Sequence, residues 1–124
     1  EAHPLVKKVN YPFLPSFAQY ALAQKQMKAG GGILTLELEG GFQRVSAFMK
    51  NLTIVSLSSN LGDTRTIITN PYTTTHSKLS AQDKLELGIT EGMIRVSVGL
   101  EDIEDLIEDF TNAVEVSAKA ELSQ

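Results

Sequence analysis

The chain has 124 residues, enough for one domain and too few for two that each bury a sizeable core. Its 42% apolar and 21% charged residues are those of a globular domain and exclude a mainly disordered chain. The absence of Cys removes disulfides, thiolate catalysis and Cys-built zinc sites, and fits a cytoplasmic, reducing compartment. No run reaches about 18 uncharged apolar residues, and the uncharged stretch from Asn51 to Gly62 has twelve and carries Ser and Asn, so no membrane span is expected. The first residues lack an apolar core followed by a small-residue cleavage site, so no signal peptide is expected, and the missing initiator Met suggests an excised segment.

Residues 1–15 hold three of the four Pro and read as an extended connector, because Pro removes a donor and biases its predecessor away from helix. Ser16 can cap a helix running to about Lys28, with Phe17, Tyr20, Ala21 and Gln24 along one stripe; Gly30-Gly31-Gly32 then breaks it. Leu34, Leu36 and Leu38 alternate with Thr35, Glu37 and Glu39 in the period-2 pattern of a strand with one buried face. After Gly40-Gly41, a helix places Phe42, Val45, Phe48, Met49 and Leu52 on one side. Residues 53–58 and 64–69 are rich in β-branched side chains and read as two strands joined by a turn at Asn60-Leu61-Gly62-Asp63.

Ser80-Ala-Gln-Asp83 has the spacing that caps a helix, and Gly88 stops it. Ile94, Val96 and Val98 alternate with Arg95 and Ser97 in a last strand, and Gly99 turns the chain into an acidic amphipathic helix. In that helix Ile103, Leu106, Ile107, Phe110 and Val114 recur at helical spacing, and the acids between them are expected to be a solvated face. Glu101, Asp102 and Glu104 also suit the partial positive charge of a helix N-terminus. Residues 100–124 carry eight acids against one Lys, a net of −7, whereas residues 1–99 carry a net of +3. The expected product is an α+β fold: a small, largely antiparallel sheet with its helices on one face.

Little here suggests nucleic acid or metal. The bases are scattered, Trp is absent, and a phosphate-tracking surface needs clustered Lys and Arg with interleaved aromatics. His3 and His76 lie far apart with no metal-ligand spacing. Gly30-Gly31-Gly32 runs into a strand, whereas phosphate-cradling loops run into a helix; Gly40-Gly41 precedes a helix but lacks the dinucleotide-binding spacing. Arg95 is the informative side chain, because strand alternation puts it on the sheet face opposite Ile94, Val96 and Val98. A strand Arg commonly pairs with a cross-strand carboxylate, here Glu37, with little gain in stability. It can also hold a substrate carboxylate in two parallel hydrogen bonds, which Lys does less well. The loops with Ser58-Ser59-Asn60 and Thr73-Thr74-Thr75-His76 offer further hydroxyl, amide and backbone donors.

The runs from Asn60 to Pro71, Thr74-Thr75-His76-Ser77, and Gly88 to Asp102 closely resemble the C-terminal domain of the pyridoxal-phosphate-dependent enzymes of cysteine and methionine metabolism. The similarity reaches back through Pro12-Phe13-Leu14-Pro15-Ser16 and Gly31-Gly32-Ile33-Leu34. Within that family, Asp63-Thr64-Arg65-Thr66 with the run from Thr74 to Ser80 is most similar to O-succinylhomoserine sulfhydrylases. The resemblance implies that Arg95 binds the substrate α-carboxylate, that Asn60 and Leu61, next to Ser59, match a Ser-Leu pair beside it, and that Thr75 lies on the same wall. Asn60 stands where the family more often has Ser, and keeps the backbone donor.

The resemblance also implies that the cofactor Lys, in a Ser-x-Thr-Lys setting, belongs to a large domain preceding this one. No catalytic or cofactor-binding residue is then expected in this chain. Residues 1–15 would be the connector from that domain and 16–124 the small domain. The longer protein would bind pyridoxal phosphate and a small amino-acid substrate, form a homo-oligomer and make homocysteine by γ-replacement. Cystathionine γ-synthase, γ-lyase, O-acetylhomoserine sulfhydrylase and a stand-alone binding module without catalysis are the alternatives.

Overall fold

The computed structural model describes residues 3–58, 62–73 and 78–122, the last four in backbone only. In chain order the elements are β1 (Val6–Asn10), α1 (Tyr20–Gln26), β2 (Ile33–Leu38), α2 (Gly41–Lys50), β3 (Ser56–Leu57), β4 (Ile67–Thr69), α3 (Ala81–Glu86), β5 (Met93–Ser97) and α4 (Ile103–Leu122). From Ile33 onward this is the expected order.

The strands form one sheet in the order β1-β2-β5-β4-β3. Every neighbouring pair is antiparallel except β3 and β4. Leu34 pairs with Val96 and Leu36 with Ile94, so their side chains share one face. That face meets α2, and α2 in turn packs along α4. Between them lies the core: Leu38, Val45, Phe48, Val55, Ile68, Ile94, Val96, Leu106, Ala113 and Val114. The rings of Phe48 and Phe110 meet at 5.7 Å across the two helices. On α2, Val45 and Phe48 are fully buried, while Phe42, expected on the same stripe, is 40% exposed.

Local signals mark several boundaries correctly. Ser80 caps α3 by accepting a hydrogen bond from the Asp83 amide at 3.1 Å. Gly40, at φ +101°, makes the left-handed entry to α2 that an L side chain rarely adopts. Asp102 starts α4 by accepting from the amides of Glu104 and Asp105.

Five expectations are corrected. Residues 6–10, expected as part of a connector, are strand β1, because the sheet edge offered by β2 satisfies their backbone groups. The first helix starts at Tyr20 rather than after Ser16; Pro12 and Pro15 hold the preceding stretch in turns, with Phe17 donating to the Leu14 carbonyl and Tyr20 to that of Phe17. In α1 Ala23 is the buried residue, not Ala21 or Gln24.

The strands expected over 53–58 and 64–69 shrink to Ser56–Leu57 and Ile67–Thr69, and they run parallel rather than as a hairpin. A two-residue turn can join only antiparallel neighbours. Before β4, Gly62 is held by Ser97 and Thr66 by Glu101. Finally, the acidic face of α4 is not solvated throughout: Asp109 is 5% exposed.

Candidate functional site

On the sheet face turned away from α2 and α4, one row of cross-strand partners runs Asn10, Thr35, Arg95, Thr69. Every member is polar, and Arg95 sits on the central strand. Its side chain is half-buried and lies under neither α2 nor α4, which cover the opposite face. Glu37, the carboxylate expected as a cross-strand partner, stands opposite Met93 and forms an ion pair with Lys7 at 3.7 Å.

The face is less open than alternation suggests. Ile67, Thr69 and Ser97 are all buried on it, and two loops are tied beside it. One loop returns where the Gly62 amide donates to Ser97 Oγ at 3.0 Å, two residues along β5 from Arg95 and on the same face. The other leaves β4 at Asn70, which is 1% exposed and has both ends of its carboxamide used. Its Nδ2 donates to the carbonyls of Met93 (2.7 Å) and Glu91 (3.1 Å). Its Oδ1 accepts from the Thr73 amide (3.0 Å) and hydroxyl (2.9 Å). Both loops are thereby tied to the strand that carries Arg95. Ser59, Asn60, Leu61 and Thr75, the other candidate substrate-binding residues, lie outside the described residues, as does His76. Their described chain neighbours Gly62 and Thr73 are the residues held by these hydrogen bonds.

Two buttresses support the arrangement. Lys84, 8% exposed, places its ammonium 3.9 Å from the Tyr72 ring centroid and so locks α3 onto the turn after Asn70. Glu101 accepts from the Thr66 amide (2.7 Å) and hydroxyl (2.8 Å), and the Thr66 hydroxyl accepts from the Gly99 amide (2.9 Å). The Thr66 amide is the main reason that the Glu101 carboxyl is held below its ordinary range. A Cβ on Gly99 would overlap the backbone of residues 64–66, so only Gly lets the two segments touch. In the same loop, the Arg65 amide is the chief cause of a lowered Asp63 pKa.

Asp109 fastens the far side. Its carboxylate accepts from the Thr53 amide (2.8 Å) and hydroxyl (2.9 Å) and from the amides of Ile54 (2.9 Å) and Val55 (3.2 Å). Burial alone would push its carboxyl up; these donors outweigh burial and hold it below the ordinary value. A carboxylate on an apolar-periodic helix gives no local sign of such a role. Asn70 was equally silent in the sequence, where Asn-Pro reads as a strand end.

Among the described residues no group of three His, Asp or Glu could hold a metal, and no helix is long and apolar enough to cross a membrane. Three concavities are formed by described residues: a groove beside α4 and two shallower depressions. None is lined by a lysine, and the buried Lys84 is spent on Tyr72. These three concavities therefore do not fit a Schiff-base site.

What remains is a small α+β layer that presents an arginine on a polar face and holds two loops beside it. The chain belongs to the family of Cys/Met metabolism PLP-dependent enzymes, whose model matches residues 1–115. It is 43% identical over 113 residues to an L-methionine gamma-lyase of Fusobacterium nucleatum, covering 91% of this chain and 29% of that protein. It is 40% identical over 116 residues to an O-succinylhomoserine sulfhydrylase of Mycobacterium tuberculosis, covering 90% of this chain and 29% of that one. The crystal structure of a cystathionine gamma synthase from Xanthomonas oryzae, in complex with aminoacrylate and cysteine, superposes with a TM-score of 0.90 at 33% identity. That match covers 95% of this chain and 30% of the other. The chain thus spans somewhat under a third of the length of these relatives.

Proposed function

We propose that this chain is the substrate-binding C-terminal domain of a longer pyridoxal-phosphate-dependent enzyme, with Arg95 receiving the α-carboxylate of an amino-acid substrate. The observation that carries the reading is the position of Arg95, central in a polar row and flanked by two loops fastened to its own strand. A guanidinium fork held this way can clamp a carboxylate in two parallel hydrogen bonds and so fix the orientation of the substrate. The donors that the resemblance puts at Asn60, Leu61, Ser59 and Thr75 would complete the wall. The cofactor, held by the preceding large domain, would supply the electron sink. This domain would supply orientation.

The reaction we favour is replacement of the succinyl group of O-succinylhomoserine by sulfide to give homocysteine. The likeness of the loops around Asp63-Thr64-Arg65-Thr66 and Thr74 to Ser80 to sulfhydrylases supports it. A γ-lyase acting on methionine is the second reading, favoured by the 43% identity to proteins of that name. The full-length protein, given O-succinylhomoserine with sulfide or methionine alone, should form homocysteine in the first assay. Release of methanethiol from methionine without homocysteine formation in the first assay would select the second reading. Under either reading, Arg95→Lys should lower kcat/KM about 10–100-fold, since losing a charge-assisted hydrogen bond costs about 1.5–3 kcal/mol. Unchanged kinetics would remove Arg95 from the site.

A further inference from the structure

The polar row through Arg95 continues across β2 to the edge strand β1. Asn10 and Thr35 share the face of Arg95 and are half-buried, and neither side chain has a hydrogen-bond partner among the described residues. Lys8, two residues from Asn10 on β1, lies on the same face, exposed and without an ion pair among the described residues. The acid opposite Lys8 is Glu37, which Lys7 holds at 3.7 Å. Arg95 and Lys8 thus place positive charge at two points of one face. The two loops tied beside Arg95 stand on the β4 side. On the other side, β2 is the one described element in extensive contact with β1.

We propose that this row is a two-point site for a dicarboxylic substrate: Arg95 holds the α-carboxylate, and the Asn10 carboxamide with the Lys8 ammonium holds the terminal carboxylate of a γ-acyl group. These two residues would then select a succinyl ester over an acetyl ester. The inference rests on the reading of Arg95 as the carboxylate clamp of an enzyme acting on O-succinylhomoserine. Register sets the distance. Two strand spacings of about 4.8 Å put Asn10 about 10 Å from Arg95. An extended O-succinylhomoserine holds its two carboxylates about 10 Å apart. A second carboxylate needs a cation and a neutral donor, and Lys8 supplies the first and Asn10 Nδ2 the second. Thr35 is short enough to leave the path across β2 clear, and its hydroxyl can donate to the ester carbonyl midway. Glu37 stands beside this end, and its ion pair with Lys7 offsets its repulsion of the ligand. An acetyl ester brings no second charge and stops short of β1.

Substrate selectivity of the full-length protein tests this. Homocysteine formation with sulfide would be measured on O-succinylhomoserine and on O-acetylhomoserine, for wild type and for Lys8→Gln combined with Asn10→Ala. The double variant should lose at least about tenfold in kcat/KM on the succinyl ester, mainly through KM, and stay within about twofold on the acetyl ester. Arg95→Lys should lower both esters alike. A binding readout independent of turnover uses azelate, a diacid whose carboxyl groups stand as far apart, against the monoacid nonanoate. In calorimetry wild type should bind azelate about tenfold more tightly than nonanoate, and the double variant should lose that preference. Equal losses on both esters would overturn the proposal by showing a structural role for β1. Unchanged kinetics would overturn it by showing that the substrate does not reach that strand. If wild type used neither ester, the sulfhydrylase reading would fall, and the azelate comparison would still decide whether Lys8 and Asn10 hold a second carboxylate.

Discussion

Removing the Asp109 carboxylate tests whether one side chain on α4 holds the segment between α2 and β3. In the folded chain it accepts four hydrogen bonds, three of them from consecutive amides. Asp109→Ala takes away every acceptor and leaves those amides facing an apolar helix. A hydrogen bond to a charged group is worth about 1.5–3 kcal/mol. Thr53 and Ile54 are exposed enough for water to replace part of their loss, so the expected total is about 3 kcal/mol rather than the sum of four. Asp109→Asn keeps one carbonyl oxygen but turns an NH2 toward backbone donors, and should lose about 2 kcal/mol. Urea unfolding of the 124-residue chain measures both. With a slope of about 1–3 kcal/mol/M, the Ala variant should unfold at a midpoint lower by at least about 1 M.

The effect has a defined pH dependence. The folded pKa of Asp109 lies below its ordinary value of 3.8. Its contribution is therefore complete above that value and is lost as pH falls through the folded pKa, so wild type and Asp109→Ala should converge in acid. A loss under about 1 kcal/mol at pH 7, or a difference that persists below the folded pKa, would refute the account.

Other contacts make smaller, separable predictions. Gly99→Ala should destabilise the chain by at least about 2 kcal/mol in thermal unfolding, because the new Cβ meets the backbone of residues 64–66 rather than a movable side chain. Glu101→Gln should cost about 1 kcal/mol and speed amide exchange at Thr66, whose amide donates to that carboxylate. Lys84→Met should cost about 1 kcal/mol through the lost ammonium contact with Tyr72, with no further loss when combined with Tyr72→Leu. In the full-length enzyme, Asn70→Ala should reduce kcat/KM while leaving cofactor absorbance intact, since its carboxamide ties the Thr73 loop to the Arg95 strand. Unaltered kinetics would show that the tie serves folding alone.

Short-range patterns in the sequence were enough to define the layer and to single out Arg95. Alternation at Leu34, Leu36 and Leu38 and at Ile94, Val96 and Val98 fixed which face of β2 and β5 is buried, since side chains on a strand must alternate. Ser80 with Asp83, Gly88 and the glycines before α2 marked helix ends through capping and backbone freedom, both local effects. By the same alternation Arg95 had to face away from the core, and the motif around it suggested its ligand. Tertiary structure alone decided the rest. β1 is a strand because β2 leaves an edge to pair with, β3 and β4 pair in parallel while Glu101 and Ser97 hold Thr66 and Gly62 ahead of β4, and Asp109 and Asn70 are anchors because of residues far along the chain. A buried carboxylate or carboxamide is set by the donors that folding brings to it, and those donors are backbone amides that every sequence carries and none displays.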